Sequence, residues 1–316
     1  MNAPEASGRN AATTLLNIAA AGIGKIILGK DEQIRLALTC LVARGHLLIE
    51  DMPGVGKTTM AHAIAQVMGL DFQRIQFTSD LLPADVLGVS IYDRERGAFE
   101  FHPGPIFSHF ILADEVNRAT PKTQSALLEA MEEQQTTIEG ETRALPRPFF
   151  VIATQNPSHQ IGTYSLPESQ LDRFLMRLHL GFPDSKAERE LLRGEDRRDM
   201  IEHLQPVLDG DRLLVIQQQA MKLHAADALL DYIQAVLDFT RQSPLFETGL
   251  SPRGGLALLS CARALALIEG KDFVLPEHVR QVLAPVVNHR LVATGDDLAA
   301  AGKTPADCIM DSVPIP

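Results

Sequence analysis

The stretch Ile49 to Thr59, IEDMPGVGKTT, constrains the fold of this chain more than any other. The apolar run HLLIE leads into it and reads as a short buried strand. Behind it, KTTMAHAIAQVMG has helical apolar spacing and stops at Gly69, a natural helix end. Strand, glycine-bearing loop and helix in that order make a phosphate-binding loop. Gly54 and Gly56 let backbone N–H groups approach phosphate oxygens, Lys57 reaches the β- and γ-phosphates, and Thr58 holds Mg2+. The positive end of the helix that begins at Lys57 adds to the anion site. One position is unusual: Asp51 stands where the usual pattern has its first glycine, an anion close to the expected phosphates. A chance glycine turn is the alternative reading, and the strand in front argues against it.

Further strand candidates are FQRIQF, HFILAD, FFVIATQ and RLHLGF, which with HLLIE make five. Helical segments between them argue for an α/β fold, a parallel five-stranded sheet with helices on both faces. Two insertions, VSIYDRERGAFEF and TTIEGETRAL, carry alternating runs around Arg94 to Gly97 and around Glu139-Gly140, and read as β-hairpins. Residues 13 to 45 read as helical, with Lys30, Asp31 and Glu32 opening the run IRLALTCLVARG and Gly45 closing it. After GFPDSKAERELL the strand signals stop and residues 186 to 290 read as helices. A length of 316 residues suits about two domains, expected as an α/β core over 1–185 with an N-terminal helical segment, and a smaller all-α domain with a C-terminal tail over 186–316.

A net charge of −11 argues against a general phosphate-backbone binder, and no strip of basic and aromatic residues offsets it. Cys40, Cys261 and Cys308 are far apart and lack CxxC spacing, so neither a disulfide framework nor a zinc site is indicated. The opening MNAPEASGRNAA and the interrupted LLNIAAAGIGKIIL lack the apolar core of a signal peptide, and no apolar run reaches the ~18 residues of a membrane span. The expectation is a soluble, cytoplasmic protein.

Other residues join the loop. In FILADEVNRA an apolar strand ends in two carboxylates, which puts Asp114 beside a Mg2+ shell and Glu115 where it can polarise an attacking water. Asn156, at the end of FVIATQN, is either a neutral amide contacting water and γ-phosphate or a turn former before Pro157. Arg173, in LPESQLDRFLMR, has no acid three or four residues away and is free to face a neighbour. In GLSPRGG, Ser251 is a good N-cap and Pro252 a good first helical residue, so Arg253 falls in a first turn that disfavours a cation. An anion nearby would explain it, a ligand phosphate or a surface carboxylate. The chain lacks the Asn-Lys-x-Asp and Leu-Ser-Gly-Gly-Gln motifs, so kinases and mechanical ATPases remain.

In order, HLLIEDMPGVGKTT, IQFTSDLLPADVLG, GPIF, FILADEVNRA, TQSALLEAMEE, VIATQNP, LPESQLDRF and SPR closely resemble the MoxR branch of the AAA+ ATPases, from about Ile26 to Arg290. The resemblance implies that Pro53, Gly54, Val55, Gly56, Lys57, Thr58 and Thr59 cradle ATP, with Thr58 and Asp114 on Mg2+ and Glu115 as the hydrolytic carboxylate. It makes Asn156 sensor 1, Arg253 sensor 2, and Arg173 the arginine finger given to an adjacent subunit. The hairpins at 89 to 101 and 136 to 145 resemble the helix-2 insert and pre-sensor-1 hairpin, which in relatives face a central pore or the partner. Such proteins are typically hexameric rings that help mature or activate other protein complexes, often with a partner carrying a von Willebrand factor A domain. Members of this branch tolerate an acid at the Asp51 position, so the site is expected to be competent, with the Asp51 carboxylate turned away from the phosphates. Gly254, where relatives more often have alanine, is a small departure that weakens the helix start. A ring scaffold gated by nucleotide, with incidental turnover, is the second expectation; a nucleic-acid motor is disfavoured by the acidic balance.

Overall fold

The computed structural model describes residues 3–156, 163–194, 197–295 and 297–315; Pro157 of the quoted motif lies outside them. Among these residues the strands are β1 (Leu47–Glu50), β2 (Phe72–Gln76), β3 (Gly88–Asp93), β4 (Ala98–Pro103), β5 (Phe110–Asp114), β6 (Gln135–Ile138), β7 (Glu141–Ala144), β8 (Phe150–Gln155) and β9 (Met176–Leu178). Five form one parallel sheet in the order β2-β5-β8-β1-β9. The central strands β5 and β8 are buried along their length, as strands covered on both faces must be, while the edge strand β2 is largely exposed.

The two faces separate by the period-two alternation of the strands. Leu47, Ile49, Phe110, Leu112, Phe150 and Ile152 join the core shared with the helices Ala3–Gly24, Asp31–Val42 and Lys57–Val67. Leu48, Ile111, Ala113, Val151 and Ala153 point the other way, onto Leu127, Leu128 and Met131 of the helix Pro121–Glu133. Each large side chain so enclosed contributes about 1.5–3 kcal/mol. Sheet, helices on both faces and hairpins agree with the expected fold class.

Both insertions are two-stranded hairpins, β3 with β4 and β6 with β7. The second turns on Glu139 and Gly140, both at positive φ (53° and 83°), the pair of left-handed residues that a tight two-residue hairpin needs.

The region expected as one helix over 13 to 45 is two. The first helix starts earlier, at Ala3, and ends at Gly24; the second runs Asp31–Val42, with Asp31 and Glu32 in its first turn. Gly29, at φ 67°, turns the chain between them. At the far end Arg44, not Gly45, takes the left-handed turn. Gly45 is needed for space, since a Cβ there would meet Leu175 at 2.1 Å.

Beyond β9 the described residues are helical, with only isolated bridges among them. The long helix Pro252–Ile268 packs against Ala3–Gly24 and Asp31–Val42. Thr13 Oγ1 donates to the carbonyl of Leu267 (2.7 Å), and Arg35 pairs with Glu269 (3.0 Å). One continuous apolar core therefore runs from the sheet into the C-terminal helices. The tail, expected as packed or partly loose, contains the helix Pro305–Ser312, capped by Thr304 and buried through Ala306 and Ile309. No described helix is long and apolar enough to cross a membrane.

Candidate functional site

Parallel register brings the C-terminal ends of β1, β5 and β8 to one edge of the sheet, because Leu112 lies beside Ile152, Ile49 beside Thr154 and Glu50 beside Gln155. Asp114 is the last residue of β5, and Asp51, Glu115 and Asn156 follow the three ends directly. Such an edge is where open α/β sheets hold their ligands.

The loop after β1 is built by Gly54 (φ 86°) and Gly56 (φ 94°), and a Cβ at either would meet no protein atom within 4 Å. Here glycine supplies conformation and leaves open the space a phosphate would fill. Gly56 also opens the helix Lys57–Val67 without a side-chain cap, so the first N–H groups of that helix are left for a ligand. Gly54, Val55, Gly56 and Thr59 line a cavity of about 210 Å³ whose other walls include the apolar Ile26, Ile27, Pro183 and Leu191. Pro53 lies exposed in the loop.

The Asp51 carboxylate is turned toward the sheet edge. One oxygen accepts from the backbone N–H of Gly181 at 2.6 Å and the other from Met52 at 2.8 Å. It stitches the loop to the turn after β9.

Lys57 is buried, and its Nζ donates to the carbonyls of Asp51 and Met52 (the latter 3.2 Å) and to Oδ1 of Asn156 at 3.0 Å. Burial lowers its pKa from the usual lysine value, and the charges of Asp51, Asp114 and Glu115 oppose that shift. Asn156, also buried, passes the connection on: its Nδ2 donates to Oε1 of Glu115 at 3.1 Å. Glu115 sits in the left-handed region at φ 57°, a conformation that costs a non-glycine residue about 1–3 kcal/mol and is held here by its N–H donating to Thr154 Oγ1 at 2.9 Å. Its second oxygen accepts from Gln76 Nε2 and Arg118 Nη1, both at 3.0 Å.

Asp114 accepts from Thr154 Oγ1 at 2.6 Å through one oxygen, and from Thr58 Oγ1 at 3.2 Å and Arg74 at 2.7 Å through the other. Thr58 and Asp114 therefore present neighbouring hard oxygens, the donor set that suits Mg2+ when phosphates and waters complete its shell. Thr154, Gln76, Arg74 and Asn117, whose Nδ2 holds the Asn156 carbonyl at 3.1 Å, belong to this site although their own motifs do not mark them. The register that sets Gln76 beside Asp114 was the available signal, and it exists only once the sheet is paired.

Arg173 and Arg253 lie elsewhere. They line a second cavity, of about 310 Å³, that includes none of the phosphate-loop residues. Arg173 has no acid three or four residues away, yet it is paired: its Nε is 2.9 Å from Oε2 of Glu132. The freedom expected of it is thus replaced by a tertiary ion pair. Arg253 follows Ser251, whose Oγ accepts from Gly254 N–H at 3.3 Å, and Pro252, as the N-cap reading required. The anions beside Arg253 are carboxylates: its Nη2 donates to Glu132 Oε1, and Nη1 lies 3.8 Å from Asp172. The hydrogen bond from Arg253 holds Glu132 below the usual carboxylate range, and Glu132 in turn raises Arg253.

Comparison with known proteins gives a consistent assignment. A family model described as "ATPase family associated with various cellular activities (AAA)" matches residues 46–176, and one described as "AAA lid domain" matches residues 238–310. The chain is 47% identical over 279 residues to the protein YeaC of Bacillus subtilis, covering 88% of this chain and 87% of that one. It is 41% identical over 286 residues to Chaperone MoxR1 of Mycobacterium tuberculosis, covering 88% and 75%. It is 31% identical over 293 residues to Protein MoxR of Methylorubrum extorquens, covering 85% of each. A crystal structure of a protein from Cytophaga hutchinsonii superposes with a TM-score of 0.89 at 36% identity, covering 98% of this chain and 97% of the other.

Proposed function

This chain belongs to the MoxR family of AAA+ ATPases, and from that premise we propose that it hydrolyses ATP with Mg2+ at sites shared between adjoining subunits of a ring, and uses the cycle to remodel, mature or activate a partner protein complex. The observation that carries this reading is the chain Lys57–Asn156–Glu115 beside the Thr58–Asp114 pair, with Arg173 and Arg253 gathered in a different cavity.

In this reading the triphosphate lies on Pro53 to Thr59, with Lys57 exchanging the carbonyls of Asp51 and Met52 for phosphate oxygens. The base fits against Ile26, Ile27, Pro183 and Leu191. Thr58 and Asp114 would hold the metal, which when bound neutralises charge on the phosphates. Glu115 accepts a proton from the attacking water as the bond from γ-phosphorus to the bridging oxygen breaks, and Asn156 keeps Glu115 aimed and in register with Lys57. Arg173 and Arg253, remote from their own loop, act on the nucleotide of the adjacent subunit.

The proposed division is a core over 1–185 and a lid with tail over 186–316. The ring is proposed as a hexamer in the cytoplasm, with a protein client and a partner carrying a von Willebrand factor A domain, and without specific nucleic-acid binding. The hairpin β3–β4 supports a protein client, since it exposes Ile91, Tyr92 and Phe99, large apolar groups beyond the molecule's own core.

Steady-state ATP turnover across protein concentration tests the proposal, with Glu115→Gln and Arg173→Ala beside the parent. Specific activity that climbs with concentration and is abolished by both substitutions is the expected result. Turnover that is independent of concentration and insensitive to Arg173→Ala overturns the shared site.

A second reading, a nucleotide-gated scaffold, has one observation in its favour. Glu115 Oε2 accepts from Gln76 and Arg118 while Oε1 accepts from Asn156, so both carboxylate oxygens already carry donors that activation of a water would have to displace. ATP binding with negligible turnover at every concentration would favour it.

A further inference from the structure

Arg173 and Arg253 come from different parts of the chain, the first just after the one-turn helix Glu168–Leu171 and the second in the first turn of Pro252–Ile268. They meet on one carboxylate, Glu132, in the last turn of Pro121–Glu133. An anion in that turn is opposed by the helix dipole, so local preference does not explain Glu132. The two attachments also differ. Arg173 is ion-paired with Nε 2.9 Å from Glu132, and neither of its Nη atoms donates a hydrogen bond to another described group. Arg253 instead places its fork on Glu132 and toward Asp172.

A guanidinium is planar, so a carboxylate charge lying on its Nε side biases where the group sits and leaves the two Nη N–H groups as a fork for phosphate. The frame behind it is stiff. Arg290, with a side chain only 4% exposed, donates to Asp172 Oδ1 at 2.7 Å and to the carbonyls of Asp172 (3.3 Å), Phe174 (2.7 Å) and Leu175 (3.1 Å), holding the backbone on both sides of Arg173.

We propose that Glu132 is a positioning residue that aligns Arg173 with its guanidinium fork free for the γ-phosphate of ATP bound by the adjoining subunit, and gathers Arg253 to the same point. This rests on the reading that Arg173 acts across a subunit boundary. Glu132 touches no reacting atom. Its loss therefore lowers the chemical rate in the neighbour's site while the subunit's own nucleotide affinity is kept.

The test is Glu132→Gln in the full chain, which keeps size and one acceptor and removes the charge. Turnover at saturating ATP is expected to fall at least about tenfold, while binding of a non-hydrolysable ATP analogue stays within about twofold. Mixing with Glu115→Gln separates a positional defect from a misfolded chain. Random one-to-one assembly leaves about a quarter of interfaces with an intact loop site facing an intact Arg173–Glu132 pair, so activity should rise above that of either variant alone. Arg173→Ala mixed with Glu115→Gln is the control. Recovery in the control together with parental turnover of Glu132→Gln alone overturns the role of Glu132 and leaves the shared site standing. Recovery in the control but none in the Glu132→Gln mixture overturns it too, by placing the defect in the subunit's own site or fold. No recovery in the control overturns the shared site itself.

Discussion

Asn156 donates its side-chain N–H to Glu115 at 3.1 Å while its oxygen accepts from Lys57 at 3.0 Å, so one buried amide joins the lysine that meets phosphate to the carboxylate placed for water. Truncation breaks that link, leaving Lys57 on the carbonyls of Asp51 and Met52 and Glu115 on Gln76 and Arg118. Asn156→Ala should cost about 10²–10³ in turnover, the size of losing an oriented polar group in a dry site, and change nucleotide affinity less. Steady-state kinetics beside a binding titration checks this, and parental turnover in the variant would remove Asn156 from the mechanism.

Arg74 shares with Thr58 the Asp114 oxygen expected to face the metal, at 2.7 Å. Mg2+ must therefore compete with a guanidinium. Because the Arg74 side chain is 48% exposed, the pair is worth at most about 1 kcal/mol. Arg74→Gln should lower the Mg2+ concentration for half-maximal turnover by about threefold to fivefold. A magnesium titration that is unmoved, or moved upward, contradicts this competition.

Asp51 anchors the loop through Gly181 and Met52. Asp51→Gly should leave nucleotide affinity within about tenfold and reduce folding stability by about 1–2 kcal/mol, the scale of a lost charged hydrogen bond. A gain in affinity beyond that range would show that its charge does oppose the phosphates.

His46 and His289 are buried, and burial pulls their pKa values from 6.5 to about 4 and about 3, with Arg290 adding to the shift at His289. In this case the unfolded chain takes up the proton first. Their contribution to stability is full above 6.5 and is lost as pH falls toward 4, by about 1.4 kcal/mol per unit for each histidine. Denaturant unfolding between pH 7 and 5 reads the slope. His46→Gln, which can replace the bonds to Val151 and Met131, should reduce that slope by one proton.

The elements legible in the sequence were those set by neighbours in the chain. The β1–loop–helix unit follows from apolar period and from the two glycines at positive φ, and the hairpin turn at Glu139-Gly140 from its own dihedral requirement. The break after Gly24 was hidden because Ala3–Gly24 and Asp31–Val42 are both apolar enough to read as one helix. Likewise, inspecting the acids around Arg173 in sequence could not reveal Glu132, which arrives on another element.

The sequence by itself determined that a lysine and a threonine would open the helix after a glycine loop and that two carboxylates would stand at the end of a buried strand, since strand period and glycine conformation are local properties. Only the tertiary structure decided which of them touch. Parallel pairing put Thr154 between Asp114 and Glu115 and set Arg74 on Asp114. Packing of the C-terminal helices on the core brought Arg253 and Arg290 to Glu132 and Asp172. Charges distant in the chain choose partners by the distances that folding creates, and no spacing in the sequence encodes those distances.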